Sequence, residues 1–240
     1  MIQETITYRC RVCDSTNIVK NGTNRCGNQQ YWCKDCGARR VLQPKRPVSS
    51  KKKEIALSVY KERTSMRGVQ RCLGIHRHTL AVWLIELISQ LPAFRTSVGP
   101  AQPDDILELD ELWSFVGQRA QKRWLCIALC RRTRQVVAFV IGDRSAKTCR
   151  KLWKRIPYEY RHCQTFSDFW HTYQQVIDSG KHCSVGKESG ETAHVERWNN
   201  TLRQRISRYV HKTLSFSKAD KFHHLITKWY IYEYNLSLTT

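Results

Sequence analysis

The sequence predicts a multidomain α/β protein in which two small N-terminal modules precede a larger mixed-sheet domain. Three observations carry this expectation. Two Cys-x-x-Cys pairs fall within the first 43 residues. A basic Pro/Ser/Lys stretch then leads into helical periodicities broken by a glycine. From residue 104 onward, apolar strand-like runs come first and later alternate with helical ones.

Composition narrows the partner. The 240 residues carry 41 Lys and Arg against 20 Asp and Glu, a formal charge of +21. A surface that positive repels itself unless a polyanion neutralises it, so nucleic acid is the expected partner. No apolar run approaches the roughly 20 residues of a membrane span. The N-terminal residues lack the basic and apolar regions of a signal peptide. A cytoplasmic, nucleoid-associated location without a membrane partner is therefore expected. The 11 cysteines are odd in number and read as reduced thiols.

Residues 1–43 read as a zinc ribbon. Cys10-Arg-Val-Cys13 and Cys33-Lys-Asp-Cys36 stand 19 residues apart. Each pair can present two thiolates from a tight turn, and two such turns close a tetrahedral site for one structural Zn²⁺. Gly37 suits the turn after the second pair. Ile18-Val19 and Tyr31-Trp32 read as short strands. So short a segment buries little core, so metal is the expected source of stability.

Residues 44–53 read as a basic linker whose Lys51, Lys52 and Lys53 lie along phosphates. Residues 54–95 read as a helix-turn-helix. Val69, Leu73, Ile75, Leu80 and Trp83 have the spacing of the core of two short helices, with Gly74 as the turn. The second helix would offer Arg77, His78 and Thr79 to base edges in a major groove. This segment resembles the helix-turn-helix of resolvases and transposases. Pro92 ends the helical pattern, and residues 96–103 read as a second linker.

In residues 104–240, three strand-like runs cover 106–116, 124–130 and 135–141, with 131–134 as a hairpin turn. A helix over 149–156 stops at Pro157. A strand ends at Asp168, a helix covers 169–177, a short strand covers 182–185, and a long helix runs from about residue 191 to Arg208. Three antiparallel strands followed by helix, strand, helix, strand, helix is the order of a ribonuclease-H-like mixed-sheet domain. In such a fold the first and fourth strands are neighbours, so Asp110 and Asp168 can meet beside the helix bearing Glu196. Three carboxylates from two strands and a helix can hold two divalent metals for phosphoryl transfer.

Asn199, Asn200 and Arg203 follow Glu196 by three, four and seven residues, on one helical face suited to DNA phosphate. Arg205 and Arg208 extend that positive surface. Glu108 shares a strand face with Asp110 by period two, and either qualifies as a ligand. Glu111 points to the other face and is the weaker candidate. His194 lies about 200° around the helix from Glu196, off the metal face. His223 and His224, being adjacent, point apart and read as surface residues. The aromatics of 229–234, and Cys126 and Cys130, read as core.

Three motifs give the chain a family resemblance. Glu108-Leu-Asp-Glu-Leu-Trp-Ser-Phe-Val-Gly117, His194-Val-Glu-Arg-Trp-Asn-Asn-Thr-Leu-Arg-Gln-Arg205 and Leu214-Ser-Phe-Ser-Lys218 resemble segments of the insertion sequence 1 family transposases, in the fused InsAB'-type product. The resemblance implies a DDE transposase. Asp110, Asp168 and Glu196 would be its acids, preferring Asp110 over Glu108, and Arg203 would be its basic residue seven positions after the glutamate. It implies two Mg²⁺ or Mn²⁺ ions, end cleavage and strand transfer into target DNA. The helix-turn-helix, helped by the zinc ribbon, would recognise the terminal inverted repeats. Two ends must be brought together, so a homo-oligomer of at least a dimer is expected. A DNA nuclease of the same fold and a non-catalytic DNA-binding regulator are the alternatives.

Overall fold

The computed structural model describes residues 7–25, 27–42, 48–177, 180–210 and 212–239. The first six residues, Cys26, positions 43–47 of the expected ribbon and linker, and His211 lie outside them. The chain divides into two compact units, 1–50 and 51–240.

In the first unit, β1 (Ile18–Thr23), β2 (Gln29–Cys33) and β3 (Arg39–Arg40) form an antiparallel sheet in that order. Its only buried apolar residues among those described are Cys10 and Cys33. Hydrophobic burial therefore contributes little to holding this unit together.

The second unit opens with three helices: α1 (Ser50–Lys61), α2 (Met66–Leu73) and α3 (Arg77–Ser89). Ser65 caps α2, accepting from the Gly68 amide at 3.0 Å. Gly74 ends it at φ +65°, its amide donating to the Gln70 carbonyl, a left-handed C-cap that glycine adopts without strain. Val69 from α2, Ile75 from the turn, Leu80, Leu84 and Ile88 from α3, and Ala56 and Tyr60 from α1 are buried. Lys51, Lys52 and Lys53, read from sequence as linker, form the first turn of α1.

These helices do not build a core of their own. They share one apolar cluster with Trp198, Leu202, Ile226 and Trp229 from the larger domain. Lys61 pairs with Glu233 at 2.5 Å and Arg205 with Glu62 at 2.8 Å. The segment read as a second linker is packed as well. Ser97 is buried, and the Gly99 amide donates to Gln135 Oε1 at 2.9 Å.

The larger domain is built on a five-stranded mixed sheet. Its strands are β4 (Ile106–Phe115), β5 (Lys122–Cys130), β6 (Val136–Gly142), β7 (Gln164–Ser167) and β8 (His182–Ser184), in the order β6-β5-β4-β7-β8. The first three run antiparallel. β7 lies parallel to β4, with Glu108 opposite Phe166, and β8 parallel to β7.

Helices cover both faces. On one, α4 (Ala146–Arg155) and α5 (His171–Val176) close over Leu107, Leu109, Cys126 and Cys130. On the other, α6 (Ala193–Arg205) and α7 (Asp220–Ser237) close over Leu112, Leu125 and Ile127. The alternation of β4 decides the site: Glu108 and Asp110 share the α6 face with Leu112, while Glu111 points with Leu109 toward α4 and α5.

Two expectations change. The helix read as continuing to Arg208 stops at Arg205, because Ile206 takes an extended conformation with its side chain in the core. A short 3-10 turn follows over Ser207–Tyr209. His223, read as a surface residue, is fully buried. Its ring lies between Ser114 Oγ (3.1 Å) and Ser217 Oγ (2.8 Å), which satisfy both nitrogens. Among the described residues, no helix is long and apolar enough to cross a membrane.

Candidate active site and metal centres

Asp110 lies in mid-β4, Asp168 just past the end of β7, and Glu196 in the first turn of α6. The parallel pairing of β4 with β7 brings the first two together, and α6 packs against β4. All three line one cleft of about 400 Å³. Thr192, Asn199, Asn200 and Arg203 line it too, as do Arg144 and Lys187.

The tightest acidic group differs from the expected triad. Carboxylate oxygens of Asp110, Glu111 and Asp168 lie within 4.8 Å of one another. Sequence reading ranked Glu111 low because it faces away from Asp110. The structure explains its presence: both oxygens are engaged on the α4–α5 side. The guanidinium of Arg144 holds Oε1 at 2.6–2.8 Å, and the Tyr173 hydroxyl donates to Oε2 at 3.0 Å. Arg144 is itself set between the rings of Trp124 and Trp170, 4.8 and 5.2 Å from their centres. Arg144 and Tyr173 carried no signal in the sequence, since they reach Glu111 from 33 and 62 residues away.

Glu108 is removed from the ligand candidates. It is fully buried, and its oxygens accept from the amides of His194 (3.0 Å) and Val195 (2.9 Å), the His194 ring (2.7 Å) and Arg131 (2.8 Å). It closes the N-terminus of α6, where an anion is favoured. His194 is indeed turned from the acids, as expected, but toward Glu108.

The remaining carboxylates keep lone pairs free. Asp110 accepts from the Glu111 amide at 2.8 Å and from Asn199 Nδ2 at 2.6 Å, one bond per oxygen. Asp168 accepts from the Trp170 amide at 3.0 Å. Glu196 Oε1 accepts from the Thr192 hydroxyl at 3.2 Å. Burial pushes Asp110 up to about 6 against the pull of the Glu111 amide, helped by the charges of Asp168 and Glu196. Burial and the Asp168 charge push Glu111 up to about 7. Two buried polar atoms at the cleft have no partner: Asn199 Oδ1 and Arg203 Nε.

The residues read as DNA contacts separate. Asn200 is exposed and Arg203 half-buried, whereas Asn199 is 3% exposed and bonded to Asp110. Arg208 is spent inside the fold, donating to Ser217 Oγ at 3.0 Å and to the Tyr60 hydroxyl, over the ring of Phe222. Arg205 is exposed and paired with Glu62. Arg77 and His78 are exposed at the start of α3, and Thr79 is half-buried. Lys51 and Lys52 are exposed, while Lys53 reaches Glu86 at 2.9 Å.

In the first unit, the sulfurs of Cys10, Cys13, Cys33 and Cys36 lie within 4.8 Å of one another. The two halves repeat one geometry. The Asp14 amide donates to the Cys10 carbonyl and the Gly37 amide to the Cys33 carbonyl, both at 2.9 Å. Cys10 and Cys33 donate to the carbonyls of Ser15 and Ala38. The fifth residue of each turn is left-handed, Asp14 at φ +59° and Gly37 at φ +72°. Backbone amides of Cys13 and Val12 pull the Cys10 thiol down to about 6.

A family model described as IS1 transposase matches residues 106–236. The InsB protein of insertion element iso-IS1n from Shigella dysenteriae is 37% identical over 126 residues, 52% of this chain and 93% of that one. The InsB protein of IS1 4 from Escherichia coli (strain K12) is 34% identical over 125 residues, 52% of this chain and 72% of that one. A crystal structure of the Mos1 strand transfer complex aligns over 83% of this chain and 77% of that one. Its TM-score is 0.35, at 10% identity. The matched segment exceeds half of the 240 residues and contains all four acids that line the cleft, and the chain belongs to the IS1 transposase family.

Proposed function

We propose that this chain is a DDE-type DNA transposase that binds terminal inverted repeats, cleaves phosphodiesters at the transposon ends and transfers the freed 3′-hydroxyl into target DNA. The observation that carries the reading is the cleft in which Asp110, Asp168, Glu196 and Arg203 meet. The sheet order β6-β5-β4-β7-β8, with acids in mid-β4 and past the end of β7, supports a ribonuclease-H-like assignment of residues 104–240.

The donor set fits hard divalent cations. It consists of carboxylate oxygens with free lone pairs, and burial, with the charges of Asp168 and Glu196 adding to it, raises Asp110 to about 6. Two Mg²⁺ or Mn²⁺ ions held by Asp110, Asp168 and Glu196 would supply activation of the attacking oxygen and stabilisation of the leaving one. The Glu111 amide and Asn199 fix the Asp110 carboxylate, and Thr192 fixes Glu196. Glu111 lies close to Asp110 and Asp168 but is the more engaged carboxylate, with Arg144 on Oε1 and Tyr173 on Oε2, so Asp110, Asp168 and Glu196 remain the proposed ligands. Arg203, half-buried at the cleft, offers its guanidinium to phosphate.

The chemistry balances without a further reactant. Water attacks phosphorus and the bond to the 3′-oxygen breaks, leaving a 3′-hydroxyl and a 5′-phosphate. That 3′-oxygen then attacks a target phosphorus and displaces the target's 3′-oxygen. Each step exchanges one phosphoester oxygen for another.

The helices of 54–95 act as the helix-turn-helix, with Arg77, His78 and Thr79 reading bases, while Lys51, Lys52, Asn200 and Arg205 contact phosphates. The four cysteines of the first unit suit one structural Zn²⁺, which leaves no open position for substrate. Synapsis of two ends calls for at least a dimer.

Incubation of a labelled transposon-end duplex with the protein and Mg²⁺ or Mn²⁺, beside Glu196→Gln, tests the reading. Metal-dependent cleaved and joined products that vanish in Glu196→Gln, with end binding retained, are expected. Cleavage without joining would favour a nuclease. Binding without any product would favour a regulator.

A further inference from the structure

Asn199 is the least explained polar residue of the cleft. It is 3% exposed and lines the cavity beside the three acids. Its Nδ2 donates to Asp110 Oδ2 at 2.6 Å, which settles the orientation of the amide, because its oxygen facing a carboxylate would set two acceptors together. The oxygen therefore points away from Asp110, and it has no partner. A buried carbonyl-type acceptor left unpaired costs about 1–3 kcal/mol, so such atoms normally have a donor or a cation to meet. The side chains that line the cleft with it are four acids, the cations Arg144, Lys187 and Arg203, and Thr192 and Asn200, besides two leucines, and the Thr192 hydroxyl is already spent on Glu196. Arg203 Nε is unpartnered too.

We propose that Asn199 belongs to the cation site rather than to the DNA-contacting surface. Its Nδ2 locks the Asp110 carboxylate, and its Oδ1 accepts from the hydration shell of a divalent cation held by Asp110, Asp168 and Glu196. Mg²⁺ and Mn²⁺ keep several waters when bound by few carboxylates, and those waters need acceptors. The division of labour along α6 then follows from burial. Asn199 serves the cation from the inner face, and its exposed neighbour Asn200, within reach of Arg203 Nη1 at 3.4 Å, serves the phosphate backbone. This inference rests on the transposase reading of the cleft and deepens it.

Mn²⁺ binding to the full chain, followed by electron paramagnetic resonance of the free ion, tests it without relying on turnover. Asn199→Ala, and Asn199→Leu as a volume-keeping second variant, should weaken Mn²⁺ binding about tenfold or more. Both should bind a transposon-end duplex in EDTA as the unaltered chain does. Asn200→Ala should do the reverse, keeping Mn²⁺ affinity and losing duplex affinity. Folded Asn199 variants that bind Mn²⁺ within about twofold of the unaltered chain, or that lose duplex affinity in EDTA, would overturn the proposal. Asp110→Asn is the separate control: if it leaves Mn²⁺ binding unchanged, the metal reading of the cleft falls as well.

Discussion

Glu108 accepts two hydrogen bonds from His194, one from its backbone amide at 3.0 Å and one from its ring Nδ1 at 2.7 Å. The carboxylate of one strand thereby caps the helix that carries Glu196, and Arg131 neutralises it from the β5–β6 turn at 2.8 Å. Glu108 sits two residues before Asp110, so the contact sets the distance between two of the three acids. Glu108→Ala should destabilise the protein by about 2–4 kcal/mol, because it leaves the amides of His194 and Val195 unpaired in a buried place, while Arg131 keeps its second partner, Glu191. Denaturant unfolding measures this. Glu108→Gln, which keeps the shape and one acceptor, should cost less, and an equal loss in both would rule out the capping account.

Asp110 carries a cost that its own removal should reveal. Its folded pKa of about 6 stands above the reference 3.8. A raised acid contributes stability that is fully present below 3.8 and is lost as pH rises through about 6. The metal-free protein at pH 7.5 therefore holds this group at a disadvantage. Asp110→Asn should raise its melting temperature by a few degrees, on the order of 1 kcal/mol, in EDTA. The gain should shrink at pH 4.5, and calorimetry at the two pH values checks both halves.

Cation affinity should follow the same group with the opposite consequence. A cation binds the ionised carboxylate, so protons compete with it. Above pH 7 the Mn²⁺ affinity should level off. Below about 6 it should fall, approaching tenfold per pH unit as Asp110 takes up its proton. A flat profile between pH 5 and 7.5 would show that Asp110 is not a ligand.

The parts of the site legible in the sequence are those whose signal is local. Asp110 and Glu196 each stand in a motif, Asp168 closes a strand-like run, and the order of strands and helices places the three near one another. The four cysteines announce themselves by spacing. Illegible were the residues defined by long-range contact. A carboxylate within an apolar strand reads as a ligand, and only the helix above Glu108 shows it to be a cap. Glu111 has the wrong strand parity for the metal face, and its closeness to Asp168 depends on how Arg144 and Tyr173 hold it. His223 reads as a surface residue because it stands beside His224 and adjacent residues point apart, but Ser217 from six residues away and Ser114 from 109 satisfy its ring in the core. The helices of 54–95 read as separate because their own apolar spacing sufficed for a small core. Tyr60 and Leu84 instead complete a core with Trp198 and Trp229.

Removing metal from the first unit should unfold that unit. Its buried apolar residues are the two cysteines themselves, Cys10 and Cys33. The fold of 7–42 then depends on the four sulfurs being bridged, helped by Asp35, which accepts from Ser15 Oγ and from Asn17 Nδ2 at 2.7 Å. One zinc per chain is expected by atomic absorption. Cys33→Ser should lose it and expose 7–42 to protease, while the thermal transition of 51–240 stays in place. Retained protease resistance in the zinc-free variant would show that the sheet holds on its own.

The start of α1 violates a local rule in a way that DNA would relieve. Lys51, Lys52 and Lys53 occupy its first turn and no acid is present there. Cations at a helix N-terminus oppose the dipole, at about 0.3–1 kcal/mol each when exposed, and an anion there is favoured. Lys53 is answered by Glu86 and the ring of Trp83. Lys51 is exposed and is the better probe. Lys51→Glu should slightly stabilise the protein alone, by up to about 1 kcal/mol, and weaken binding to any duplex. If Lys51 meets a phosphate, the slope of log affinity against log salt should fall by about 0.9 in Lys51→Ala, equally for end and unrelated sequences. A change confined to transposon-end sequence would make it a base contact, and an unchanged slope would place α1 away from DNA.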